Sequence, residues 1–147
     1  MTVPNDDLER IVTGAETVEK SLSVLTAKQS MSREAYRADR ETRDVVERRF
    51  VKLTEATLDI ARTLVVHERG SPPESNPAAM LALDETGVLD RTTTAKMVQA
   101  ARFRNVLAHT YGNAINHDDV YAALQDLERY RDFLHDVRAY LDDTGAL

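Results

Sequence analysis

Cysteine is absent from the 147 residues, which excludes disulfides and thiolate metal sites. Glycine is scarce, with five copies, too few to make a nucleotide-cradling glycine-rich loop a natural expectation. No HExxH or comparable metal-ligand spacing occurs, and no G-x-S-x-G nucleophile elbow. Neither a metal nor a cofactor is therefore expected. No apolar run approaches the roughly 20 residues that a membrane span needs. The opening MTVPNDDLER is polar and acidic, so no secretory signal is expected and the cytoplasm is the expected location. Alternation of the β type is missing over any useful length, and so are internal repeats.

What remains is the composition of an ordinary helical domain. Apolar residues make up 42% and charged residues 30%, enough to build a core in one domain spanning 1–147. The net charge of −6 argues against a broad nucleic-acid-binding surface but leaves room for a local basic cleft. Only Lys20, Lys28, Lys52 and Lys96 are lysines; the other basic residues are arginines. Many acids with few lysines suit a high-salt cytoplasm, where phosphate contacts are weakened.

Apolar spacing predicts four main helices and one short one. The first runs from about Asp6 to Ala27 on a stripe of Leu8, Ile11, Ala15, Val18, Leu22 and Leu25, with Asn5 or Asp6 as cap. The second runs from Arg33 to Glu68, with Ser32 as a plausible cap and a stripe of Val46, Phe50, Leu53, Leu58, Ala61, Leu64 and Val65. Its first half, Arg33 to Arg49, is densely charged and reads as a solvated face of paired charges, or else as an arm for a partner. Gly70 to Pro77 holds three of the four prolines and predicts a mobile surface loop over 70–78. A short helix follows over Ala78 to Glu85. Asp90 or Thr92 to Thr94 then caps a helix carrying Met97 to Tyr111, terminated by Gly112-Asn113. Asn116 or Asp118 caps a last helix reaching Leu141 through Val120, Leu124, Leu127, Phe133 or Leu134, and Val137.

The chemistry concentrates in Ala101 to Gly112, ARFRNVLAHTYG. At about 100° per residue, Ala100, Phe103, Val106, Leu107 and Thr110 form the expected core stripe. Arg102, Asn105 and His109 share one flank; Arg104 and Tyr111 share the other. Ala101 and Ala108 are expected to face outward and to let another helix come close. Two such helices about a twofold axis would bring both polar sets into one cleft. Arginine there can bind phosphate and histidine can move protons near neutral pH. That set suits metal-independent RNA cleavage, in which the ribose 2′-OH is the nucleophile. A single histidine on such a helix is more often a surface residue than a catalyst. His117, ahead of the last helix, reads as an exposed cap-region residue, and His67 and His135 as surface.

Arg104-Asn105-Val106-Leu107-Ala108-His109-Thr110-Tyr111 resembles the R-x4-6-H motif of HEPN ribonucleases, and is similar to the fuller R-N-x-x-x-H-x-Y form of the HepT-like family. Phe103 fits the usual FRN phrase. The helical layout, with its long second helix and its proline-containing loop, extends the resemblance over nearly the whole chain. It implies an all-α, HEPN-type up-down bundle that forms homodimers with the cleft at the interface. It implies catalytic roles for Arg104 and His109, with Asn105 helping to set the site. It further implies that Tyr111 is the acceptor of AMP from a cognate MntA-like nucleotidyltransferase antitoxin, in a type VII-like toxin–antitoxin module acting on RNA. Arg102 is a second candidate for phosphate, because Arg104 lies about 140° from His109 on a straight helix. The competing expectations are a non-catalytic subunit that binds nucleotide or the nucleotidyltransferase, and a plain helical adaptor.

Overall fold

The computed structural model of the chain describes residues 3–109 and 115–145, with Ala108 and His109 as backbone alone. Among the described residues there are seven α-helices and no strand: α1 Asn5–Thr26, α2 Arg33–Ala38, α3 Arg40–Arg69, α4 Asn76–Glu85, α5 Arg91–His109, α6 His117–Leu124 and α7 Glu128–Asp143. The all-α expectation holds, but two of the expected helices are each broken in two.

The first break falls inside the expected helix from Arg33 to Glu68. Asp39 adopts an extended conformation and its carboxylate accepts from the Thr42 amide (3.1 Å) and the Thr42 hydroxyl (2.9 Å). This is an N-cap, so the chain must re-enter helix at Arg40. The short α2 before it starts as expected at Ser32, whose hydroxyl accepts from the Ala35 amide. Its one buried residue is Tyr36. Three arginines of this region find partners within the chain: Arg33 and Arg37 both reach Asp118, and Arg43 donates to the Arg37 carbonyl.

The second break lies at Gln125–Leu127, inside the expected last helix. Partners distant in sequence take over the end of α6. Gln29 donates to the Leu124 carbonyl (2.9 Å) and Gln125 donates back to the Gln29 carbonyl (3.0 Å). Arg129 folds back onto the Asp126 carbonyl (3.2 Å) and also donates to the Lys96 carbonyl of α5 (3.3 Å). The Leu124 carbonyl, freed at the end of α6, thus finds its partner outside its own helix.

α1 lies along α3, and the approach is close. A Cβ at Gly14 would stand 2.8 Å from Cγ1 of Ile60, so glycine is what this crossing admits. The expected cap at Asn5 or Asp6 is replaced by Pro4, whose carbonyl accepts from the Leu8 amide (2.9 Å). α3 is the spine of the bundle, touching α1, α2, α4, α5 and α6. Phe50, Leu53, Ile60 and Leu64 of α3 are fully buried, each such side chain contributing about 1.5–3 kcal/mol by leaving water. Gly70 ends α3 in the left-handed conformation (φ 75°) that glycine enters without cost. After Pro72 and Pro73, α4 begins two residues earlier than expected, because Ser75 caps it (3.1 Å to the Ala78 amide) and Pro77 fits its first turn.

Candidate functional site

α5 carries the motif. Asp90 fixes its start: the carboxylate accepts from the Thr93 amide (2.7 Å), and these bonds hold it below the usual carboxylate range. α5 then runs between α3, α4 and α7. Because it is covered on several sides, its burial does not follow a single stripe. Met97, Val98, Ala100, Ala101 and Leu107 are buried, while Gln99, Arg102 and Val106 form the exposed row.

This corrects two sequence expectations. Ala101 sits in the core and is not an outward platform for another helix. Val106, expected in the core, is 57% exposed. Phe103 stays with the core as expected, meeting Phe50 edge-on with ring centroids 5.6 Å apart. That contact ties the motif turn of α5 to the middle of α3.

The structure separates the two candidate arginines. Arg102 is exposed. Arg104 turns toward α3, where its Nη2 pairs with the carboxylate of Glu55. Its side chain is only 23% exposed, and its buried Nε finds no acceptor among the described residues. Asn105 accepts a long hydrogen bond from Asn76 at the start of α4 (3.4 Å), and Asn76 in turn accepts from Arg62 of α3 (3.0 Å). Arg104 and Asn105 are thus brought together on the side of α5 that faces α3 and α4, with Arg102 on the open side. His109 is the last residue of α5; the position of its side chain lies outside the described residues, as do Thr110, Tyr111 and the Gly112-Asn113 terminator.

A second polar group borders the segment that follows. Asn116 caps α6 through the amides of Asp118 (2.9 Å) and Asp119 (3.3 Å), as one of the expected alternatives had it. The next residue, His117, is half-buried, with Nδ1 3.5 Å from Oε1 of Glu47. Burial pushes the Glu47 carboxyl up, and the nearby imidazole opposes that shift. Tyr36 lies beside this pair; burial first, and Glu47 second, push its hydroxyl well above the usual tyrosine value.

Sequence reasoning missed Glu47 and Glu55, the two acids of α3 that stand against His117 and Arg104. They stand eight residues apart, a little over two helical turns, and no spacing in the sequence singled them out among the other acids. Among the described residues no helix is long and apolar enough to cross a membrane.

An all-α bundle whose fifth helix ends in Arg-Asn-x-x-x-His, the arginine held half-buried against a neighbouring helix, defines a protein of the HEPN class. The family described as ribonuclease HepT-like matches residues 8–137, and the chain belongs to that family. No curated protein matches the sequence. Among solved structures, a toxin–antitoxin with AMP-PNP superposes with a TM-score of 0.78 at 18% identity, over 89% of this chain and 98% of that one. A tri-AMPylated Shewanella oneidensis HEPN toxin in complex with MNT antitoxin gives 0.76 at 19% identity, over 88% and 97%. A mutant MntA–HpeT toxin–antitoxin complex gives 0.77 at 17% identity, over 89% and 98%. At these identities the likeness establishes the shared fold.

Proposed function

We propose that the chain is the ribonuclease toxin of a HEPN/nucleotidyltransferase toxin–antitoxin module, acting in the cytoplasm as a homodimer on RNA without a metal. The observation that carries this reading is the Arg104-Asn105…His109-x-Tyr111 sequence at the end of α5 in a chain of the HepT-like ribonuclease family. His109 removes the proton of the ribose 2′-OH or donates one to the leaving 5′ oxygen. Arg104 stabilises the charge that develops on the phosphate. Asn105 sets the local hydrogen bonding, and the exposed Arg102 draws the RNA backbone toward the cleft. The open row Gln99, Arg102 and Val106 beside these residues is the face on which the second subunit closes the cleft.

Tyr111, two residues after His109, is the switch. An AMP on its hydroxyl places a phosphodiester charge and a purine at the mouth of the cleft, where the arginines bind it and RNA is kept out. The donor is a MntA-like nucleotidyltransferase encoded with this chain; the AMP-bearing toxin among the similar folds is in keeping with that assignment.

The test is expression of wild type and His109→Ala with RNA cleavage and growth as readouts. The variant is expected to fold and dimerise but to leave RNA intact. Equal cleavage by the variant refutes the catalytic assignment. Incubation with the nucleotidyltransferase and ATP is expected to add about 329 Da, or multiples of it, to the peptide carrying Tyr111, the mass of covalently attached AMP. A second reading, a non-catalytic subunit that binds nucleotide or the antitoxin, is favoured by one observation: the Arg104 charge is already met by Glu55 in a chain of net charge −6. It predicts a stable complex with the nucleotidyltransferase and no cleavage by the free dimer.

A further inference from the structure

We infer that Glu55 is the positioning residue for Arg104: its carboxylate fixes the guanidinium so that the remaining N–H edge meets the scissile phosphate. The inference rests on the ribonuclease reading and deepens it. Glu55 stands 49 residues away from Arg104, on α3, outside the motif.

Arginine presents five N–H donors in a rigid planar fork, and its value at a phosphate depends on where that fork is aimed. An arginine on a helix flank otherwise samples many rotamers. Here the stem is largely covered, one Nη2 donor is taken by Glu55, and Nε is buried without an acceptor among the described residues. A single carboxylate contact leaves donors over. The covered surroundings make each of them count for more than it would in water.

The next residue is held from the same helix. Arg62, seven residues after Glu55 and so on nearly the same face of α3, holds Asn76, which holds Asn105. One face of α3 therefore anchors both polar residues of the Arg-Asn pair, with the Phe50–Phe103 contact fixing the spacing between the two helices.

A carboxylate beside a phosphate-binding arginine has an opposite possible effect. It could mask the charge and have to be displaced by substrate. The two effects differ in sign. Positioning predicts that removing Glu55 lowers turnover; masking predicts that it raises turnover or tightens RNA binding. The half-buried setting favours positioning, because an Arg104 freed from Glu55 is free to swing toward water rather than staying aimed from α5 toward α3.

The experiment compares wild type, Glu55→Gln and Glu55→Ala. Glu55→Gln keeps an acceptor at the same length without the charge. Turnover of the Ala variant is expected to fall about tenfold or more with KM within about threefold, the signature of a lost transition-state contact. The Gln variant is expected to recover part of it. A merely structural role would lower the melting temperature of both variants and leave turnover of the folded protein unchanged. Unchanged or raised turnover in Glu55→Ala overturns the inference.

A second readout separates this inference from the nuclease reading. The Arg104 Nε–H resonance, assigned by its loss in Arg104→Lys, is expected to exchange slowly with water in wild type. It is expected to exchange fast in Glu55→Ala and at an intermediate rate in Glu55→Gln. If wild type cleaves no RNA, the nuclease reading fails while this signal still decides whether Glu55 holds Arg104. Equal exchange in all three proteins refutes the positioning.

Discussion

Removing one oxygen atom from Tyr36 is expected to stabilise the protein. Tyr36 is the only buried residue of the six-residue α2 and is 0% exposed. Its ring leans on Tyr121 at 5.7 Å, but its hydroxyl has no hydrogen-bond partner among the described residues. In the unfolded chain that hydroxyl is hydrated, so folding strips its water and no described residue replaces it. A buried polar group left without a partner costs about 1–3 kcal/mol. Tyr36→Phe removes this cost and keeps the ring. The vacated space is one oxygen wide, and the lost dispersion contacts amount to a few tenths of a kcal/mol. The net expectation is a gain of about 1 kcal/mol, or about 2–4 °C in melting temperature for a chain of this size. Urea titration and calorimetry on the same preparations measure it. Tyr36→Leu serves as the contrast: it also removes the hydroxyl but loses the ring packing, so it is expected to be less stable than Tyr36→Phe. A Tyr36→Phe protein that melts below wild type refutes the reasoning, because the hydroxyl must then be bonded in the folded state.

Gly14→Ala sets two effects against each other. The helix interior gains about 0.5–1 kcal/mol from alanine, but the new methyl must displace the fully buried Ile60, and overpacking costs about 1–3 kcal/mol. The variant is expected to be less stable by about 1 kcal/mol in urea titration; a more stable variant would show that α1 and α3 can part freely. Asp90→Ala tests the cap of the motif helix. The Asp90 carboxyl is held below its ordinary value by the Thr93 amide, so its contribution is present above the unfolded-state value and is lost as pH falls through the folded one. Wild type is expected to melt above Asp90→Ala at neutral pH and together with it in strong acid; a gap that persists in acid contradicts the carboxylate as its source. Phe50→Leu keeps most of the buried volume but loses the edge-on contact with Phe103, and is expected to cost about 1 kcal/mol, read by calorimetry; a neutral result would show that the motif helix is anchored elsewhere.

The helical class was legible because it follows from local periodicity, and the motif because its residues are contiguous in the sequence. Asp90, Ser32 and Asn116 were readable as caps, since their side chains bond within three residues of themselves. Asp39 was not read as one, although it caps in the same way. The apolar stripe that frames a helix is nearly empty between Arg33 and Val45, so the break had no contrast to stand out against. The stop after Leu124 was hidden for a different reason: its partners, Gln29 and Lys96, are distant in sequence. The orientation of α5 failed on the same ground. One stripe was expected where the surrounding helices cover the helix on several sides, which buries Ala101 and exposes Val106. At the site, the choice of Arg104 and Arg102 as candidates needed only the motif. Their separation into one arginine held by Glu55 and one turned to solvent is tertiary, and no spacing in the sequence encodes it.

The proposed attack by the ribose 2′-OH is read most directly from the ends of the RNA products. Purified protein is incubated with RNA in excess chelator, and the termini are read by mass spectrometry beside an oligonucleotide carrying 2′-deoxyribose at the cut position. Cleavage is expected to yield a 2′,3′-cyclic phosphate and a free 5′-hydroxyl, with no cut in the deoxy oligonucleotide. Products with a 5′-phosphate and a 3′-hydroxyl, or activity that vanishes with the chelator, would contradict it.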